Sequence, residues 1–188
     1  MGATALSQRD NWQQGARLTG DAAKNKFAAL LAAELPEYYE VTIEPPKLEI
    51  YSDGKGIVLD VRIRNMLTDT SLYAEVKGGD QGGNATEERA AKFLSEGIKR
   101  RVRSKYRVPH EPFFTVFTGD IFNGRDGNRS AYIIERTSKK TGKITKTKVH
   151  PVRYREKVDV MFEGQNYAIM DADYSNIDSV TAQIMEIV

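Results

Sequence analysis

Cysteine is absent from the 188 residues, which excludes disulfide staples, thiolate nucleophiles and Cys-ligated zinc, and suits a reducing compartment. Histidine is nearly absent too, and His110 and His150 alone cannot furnish a histidine metal cage. A catalytic metal would have to lean on carboxylates, and oxygen donors favour a hard ion such as magnesium. No apolar run approaches the roughly 20 residues that span a bilayer, and Met1 to Asn11 lacks the apolar stretch of a signal peptide. A cytoplasmic location with no membrane partner is therefore expected. Gly2 invites a myristoylation reading, but Leu6 stands where that motif needs Ser or Thr. Phosphate loops and dinucleotide motifs are missing, so no nucleotide cofactor is expected. Internal repeats and low-complexity linkers are missing as well. One domain over residues 1–188 is the expectation, since chains of up to about 200 residues rarely need a second core.

What is present is an ordinary globular composition, 40% hydrophobic and 29% charged, with enough apolar side chains to fold throughout. The net charge is only +2, but the positive residues are clustered. One block comprises Lys99, Arg100, Arg101, Arg103, Lys105 and Arg107. The other runs from Arg136 through Lys139, Lys140, Lys143, Lys146 and Lys148 to Arg153, Arg155 and Lys157. Such blocks suit a phosphate backbone, and a solvated helix face plus a soluble hairpin is the alternative.

Along the chain, Asp21 is placed to cap a helix carrying Phe27, Leu30, Leu31 and Leu35, which Pro36 stops. Tyr39, Val41 and Ile43 alternate as an edge strand, and Leu48 and Ile50 begin another extended piece after Pro45 and Pro46. From Ile57 to Arg64 the alternation predicts one strand, with Ile57, Leu59, Val61 and Ile63 on its apolar face and Asp60 on its polar face. After a turn at Thr68 to Ser71, the run Leu72 to Lys77 opposes Leu72, Ala74 and Val76 to Tyr73, Glu75 and Lys77. A glycine-rich stretch, Gly78 to Gly83, leads into a helix that Asn84 can cap with Glu87 as its partner; Ala91, Leu94, Ile98 and Val102 form its buried stripe. Phe113 to Phe117 has the composition of a central strand buried on both faces. Ala131 to Ile134 and Ile144 to Val149 flank Lys140-Thr141-Gly142 as an exposed basic hairpin spanning about residues 131–150. Val158 to Phe162 and Tyr167 to Met170 are predicted as a second hairpin around Gly164-Gln165-Asn166, and Ser175 as the cap of a last helix with Ile177, Val180, Ile184 and Ile187.

Two antiparallel strands would thus carry Asp60 and Glu75-Val76-Lys77 on one polar face. Close carboxylates repel, and a divalent cation between them removes the repulsion while acidifying a bound water. Lys77 could orient or deprotonate that water and offset charge on the phosphorane. Phosphodiester hydrolysis needs this kind of charge neutralisation. The alternative is a cross-strand surface ion pair worth about 0–1 kcal/mol. His110, between Pro109 and Glu111, fits a loop residue better than a general base. Asn84-Ala85-Thr86 and Asn128-Arg129-Ser130 match glycosylation sequons, which without secretion is coincidence.

Several stretches carry a resemblance. Asp60 followed by Glu75-Val76-Lys77, then Gly83-Asn84-Ala85-Thr86-Glu87-Glu88-Arg89 and Ala91-Lys92-Phe93-Leu94, resembles the EcoRI and MunI family of type II restriction endonucleases, within the PD-(D/E)XK nuclease class. Leu6 to Gln13 resembles the family's MunI-like start, and Pro112 to Ile121 its central strand and following turn. Leu59 replaces the usual Pro before the Asp. One extra residue stands between Ala85 and Arg89, so Glu87 or Glu88 takes the family's glutamate role.

The resemblance implies an α/β, restriction-endonuclease-like core with a mixed central sheet flanked by helices, in a bacterial-type cytoplasmic homodimer. It implies Asp60, Glu75 and the Val76 carbonyl as magnesium ligands, with Lys77 as their catalytic companion. The product of cutting double-stranded DNA would be a 5'-phosphate and a 3'-hydroxyl, at a palindrome centred on AATT and within a restriction-modification system. Gly83, Asn84, Ala85, Glu88 and Arg89 would read the inner bases. Asn suits the adenine edge and Arg is a long donor that reaches the groove, although Asn84 could instead only cap a helix and Arg89 lie in solvent. Lys92, Lys139, Lys140, Lys143, Lys146 and Lys148 are the candidate phosphate contacts. A repair or junction-resolving nuclease of the same class, or a DNA-binding module without activity, are the competing readings.

Overall fold

The computed structural model describes residues 20–78, 95–119, 132–137, 141–149, 151–171 and 173–188. Within them the order is helix α1 (residues 20–34), β1 (Tyr39–Ile43), β2 (Leu48–Glu49), β3 (Gly56–Ile57), β4 (Val61–Asn65), β5 (Thr70–Gly78), α2 (Glu96–Tyr106), β6 (Phe113–Thr118), β7 (Tyr132–Thr137), β8 (Ile144–Val149), α3 (Pro151–Met161), β9 (Tyr167–Ile169) and α4 (Ile177–Ile187).

Five strands form the central sheet in the order β1-β4-β5-β6-β9. β1, β4 and β5 run antiparallel as a meander, whereas β5, β6 and β9 are parallel. β1 is an edge and β6 is interior, as their sequences predict. All six residues of β6 are buried, because both faces of this strand are covered.

One face packs Val61, Ile63, Leu72, Ala74, Val76, Phe114 and Val116 against α1 (Phe27, Ala28, Leu31) and α4 (Ile177, Val180, Ile184). Each of the larger of these side chains, taken from water to full burial, contributes roughly 1.5–3 kcal/mol, and the alanines contribute less. Tyr73 and Phe113, on the opposite face, join Val102 of α2 and Leu48, Ile50 and Leu59 in a smaller cluster. Phe117 meets Phe162, just past α3, edge to face at 5.2 Å. Helices therefore cover both faces of a mixed sheet, the α/β architecture that the family resemblance implies. No described helix is long and apolar enough to cross a membrane.

Several local expectations are corrected. Asp21 lies inside α1, where it accepts from Lys24 Nζ at 3.1 Å instead of capping the described helix. The stretch Ile57 to Arg64 is not one strand. Ile57 belongs to the small β2-β3 sheet, the chain bends at Asp60, and only Val61 onward joins the central sheet. Leu59 and Val61 consequently enter different cores although their spacing puts them on one face.

A helix continuous from Asn84 through Val102 is excluded, because Ser95 is extended (φ −62, ψ 119) as the N-cap of α2. Val158 to Met161 is helical and Phe162 follows in the turn, so this is not the first strand of a hairpin. The spacing i, i+4 satisfies both periods, and the structure separates them: Val158 and Phe162 are fully buried, whereas Val160, which a strand would place beside them, is 74% exposed. β9 accordingly pairs with β6. The last helix has Asn176, not Ser175, as its N-cap residue, and the Asn176 amide is used otherwise. It donates to Ile169 O and accepts from Asp171 N–H, both at 2.9 Å, so that one side chain covers part of the outer edge of β9.

Candidate active site

The β4-β5 ladder places the candidate acids. Val61 opposes Ala74, and the Asp60 N–H also reaches Ala74 O at 3.1 Å. At Asp60 the chain bends off the ladder, and its own carbonyl is taken by Glu44 N–H at 2.8 Å. The next inward N–H of β5, that of Val76, would then lack a strand partner. Asp60 Oδ2 accepts it at 2.8 Å. The carboxylate therefore replaces a missing main-chain acceptor, which fixes its position.

Glu75 and Lys77 alternate with the core residues Ala74 and Val76 and stand on the sheet face where Tyr73 and Phe113 pack against Val102 of α2. Glu75 is 8% exposed, and its Oε1 accepts from Lys77 Nζ; the two side chains are 10% and 15% exposed. β6 adds a residue that composition alone does not single out. Thr115 pairs in register with Glu75 and is 3% exposed. Its signal is the single polar position inside Phe-Phe-Thr-Val-Phe, beside the strand that carries the acids.

Carboxylate and carbonyl oxygens are the donor types a hard divalent ion takes. Among the described residues there is no group of three or more His, Cys, Asp and Glu able to hold a metal. The protein's share would be the carboxylates of Asp60 and Glu75 and the Val76 carbonyl. Magnesium accepts such a partial set, since it keeps several waters and takes one or two carboxylates plus substrate phosphate oxygens.

Other predicted residues divide by place. Gly83, Asn84, Ala85, Glu88, Arg89, Lys92, Lys139 and Lys140 lie outside the described residues. Lys143 and Lys146 are exposed on the β7-β8 hairpin, whose register pairs Glu135 with Lys146 and joins them at 2.6 Å. Lys148 is on β8.

The α2 block changes character. Lys99 is not a solvated cation: it is 2% exposed, bonds Gln165 Oε1, and lies 3.2 Å from Glu111 and 3.5 Å from Glu96. The periodicity that buries Val102 also turns position 99 inward. His110 sits in the loop before β6, its Nδ1 2.8 Å from Glu111 O. A cavity of about 380 Å³ among Arg155, Asp159, Tyr167, Asn176, Ser179 and Gln183 is separate from the Asp60 cluster.

No protein-family model matches the chain. No curated protein sequence matches it either. Among solved structures it is similar to MunI restriction endonuclease in complex with cognate DNA, at 18% identity and a TM-score of 0.50, over 85% of this chain and 92% of that one. With its mixed sheet flanked by helices, the chain has a restriction-endonuclease-like fold.

Proposed function

We propose that this protein is a magnesium-dependent type II restriction endonuclease acting on double-stranded DNA. The observation that carries the reading is the locked carboxylate: Asp60 is held by the N–H of Val76, the residue between Glu75 and its partner Lys77, in a fold similar to that of a DNA-bound restriction enzyme.

In this reading Asp60, Glu75 and the Val76 carbonyl hold magnesium, and the ion supplies Lewis-acid stabilisation and an acidified water. Pinning Oδ2 to the main chain leaves the carboxylate little freedom to turn, so less ordering is needed when metal and phosphate arrive. Glu75 keeps the Lys77 ammonium at the site, where it offsets charge on the phosphate and orients the attacking water. The product would be a 5'-phosphate and a 3'-hydroxyl.

A homodimer in a restriction-modification system follows from the family resemblance, as does a palindrome centred on AATT read by Gly83, Asn84, Ala85, Glu88 and Arg89. Two-fold symmetry in the protein imposes two-fold symmetry on the site. Lys92 and the hairpin lysines Lys139, Lys140, Lys143, Lys146 and Lys148 are assigned to phosphates, with Lys146 having to leave Glu135.

Incubating the purified protein with plasmid DNA and magnesium, then sequencing the fragment ends, tests the reading. Discrete ends at one motif containing AATT are expected. Random ends would favour a repair-type nuclease, and binding without cleavage a DNA-binding module.

A further inference from the structure

Of the six basic residues at α2 and its C-cap, the structure neutralises half. Lys99 is buried against Glu111 and Gln165. Arg103 lies 3.4 Å from Glu96 and 3.7 Å from Glu111, and Lys105 4.0 Å from Glu49. Arg100, Arg101 and Arg107 are exposed, and among the described residues none of them has an acidic partner.

At about 100° per residue, Arg100 and Arg101 flank an outer stripe made of Gly97 and Ser104, with Arg107 at the C-cap. Packing among the described residues does not ask for glycine at position 97. Among the described residues a Cβ there would meet only Ser95 Oγ, at 3.7 Å, and the helix would gain from alanine in its place. A small residue between arginines leaves room for something to approach the helix closely.

Arg101 has a further arrangement. Its guanidinium lies 5.1 Å from the ring centroid of Tyr51, which is 43% exposed near the tip of the β2-β3 hairpin. Stacking occupies the flat face of a guanidinium and leaves its in-plane N–H donors available, the edge that grips a phosphate.

We propose that the outer face of α2, with Arg100, Arg101 and Arg107 around Gly97 and Ser104 and with Tyr51 beside them, is a second contact surface for the phosphate backbone of duplex DNA. It deepens the nuclease reading, on which the choice of duplex DNA rests. α2 covers the sheet face that bears Glu75 and Lys77, so a duplex seated at the site can continue along the outside of the same layer. The three arginines give affinity without sequence preference, because phosphates carry no base information.

The test is fluorescence anisotropy with a labelled duplex lacking AATT, in metal-free buffer over a salt series, comparing wild type with the Arg100→Gln, Arg101→Gln, Arg107→Gln triple variant. All three side chains are exposed, and an unchanged thermal midpoint confirms folding. The slope of log K against log salt should shallow by about 2–3, near 0.9 for each phosphate that is no longer neutralised. An unchanged slope overturns the proposal, and so does a wild type that binds no duplex. Polyglutamate that binds wild type as tightly as DNA overturns it too, in favour of an acidic protein partner. A shallower slope together with no cleavage by wild type would retain this surface and remove the nuclease reading.

Discussion

Asp60 Oδ2 and the main-chain N–H of Val76 meet at 2.8 Å, which makes a candidate metal ligand part of the β4-β5 ladder. The same carboxylate therefore has a structural task and a chemical one, and substitutions can separate them.

Asp60→Asn keeps an acceptor for Val76 N–H, whereas Asp60→Ala leaves that donor without one. An unsatisfied buried donor costs about 1–3 kcal/mol, so the alanine variant should unfold at lower urea than the asparagine variant by about that much. Equal midpoints would show that water satisfies the N–H.

Both substitutions remove a metal-binding charge, as does Glu75→Gln, and Lys77→Ala removes the ammonium. Each is expected to retain DNA binding while cleavage of plasmid DNA in magnesium falls by more than about a hundredfold. Cleavage within about tenfold of wild type for any one of them would exclude that residue from the chemistry.

Lys99 gives a prediction of the opposite kind. Lys99→Met removes a buried cation and leaves Glu111 with Arg103 alone, which should lower stability in urea unfolding, by less than the about 3–5 kcal/mol of a wholly unpaired buried charge. Adding Glu111→Gln should recover part of the loss. The salt dependence of DNA binding should stay as in wild type if position 99 is internal in solution.

Asn84→Ala tests base reading. Removing a bidentate hydrogen-bond pair to adenine costs about 1–3 kcal/mol, so cleavage at an AATT site should weaken roughly ten- to a hundredfold, with non-specific binding nearly unchanged. An unaltered cognate rate would leave Asn84 as a helix cap only.

Burial pushes the Tyr73 phenol above its ordinary value of 10.0, partly opposed by Arg62. The unfolded chain then releases its proton at lower pH than the folded one. Stability from this group is full below about pH 10 and falls as pH rises past it. Urea midpoints taken from about pH 9 to about pH 11 should drop, and Tyr73→Phe should lessen the drop. The same slope in Tyr73→Phe would assign the loss to other groups.

The sequence by itself determined those features that short-range pattern controls. Alternation along Leu72 to Lys77 separates Glu75 and Lys77 from the core whatever the strand pairs with, and the apolar run at Phe113 needs a buried strand. The Glu75–Lys77 pair was legible because it follows from that alternation, whereas joining Asp60 to it rested on the family resemblance.

Tertiary structure decided what the spacing leaves degenerate. The spacing of Val158 and Phe162 suits a strand or a helix equally, and pairing of β9 with β6 resolves the segment as the end of α3 and its turn. Lys99 was one more cation in a basic block until burial against Glu111 set it apart from Arg100 and Arg101. The hydrogen bond that holds Asp60 depends on where the chain leaves the β4-β5 ladder. That departure is a property of two strands in contact, and neither strand's sequence contains it alone.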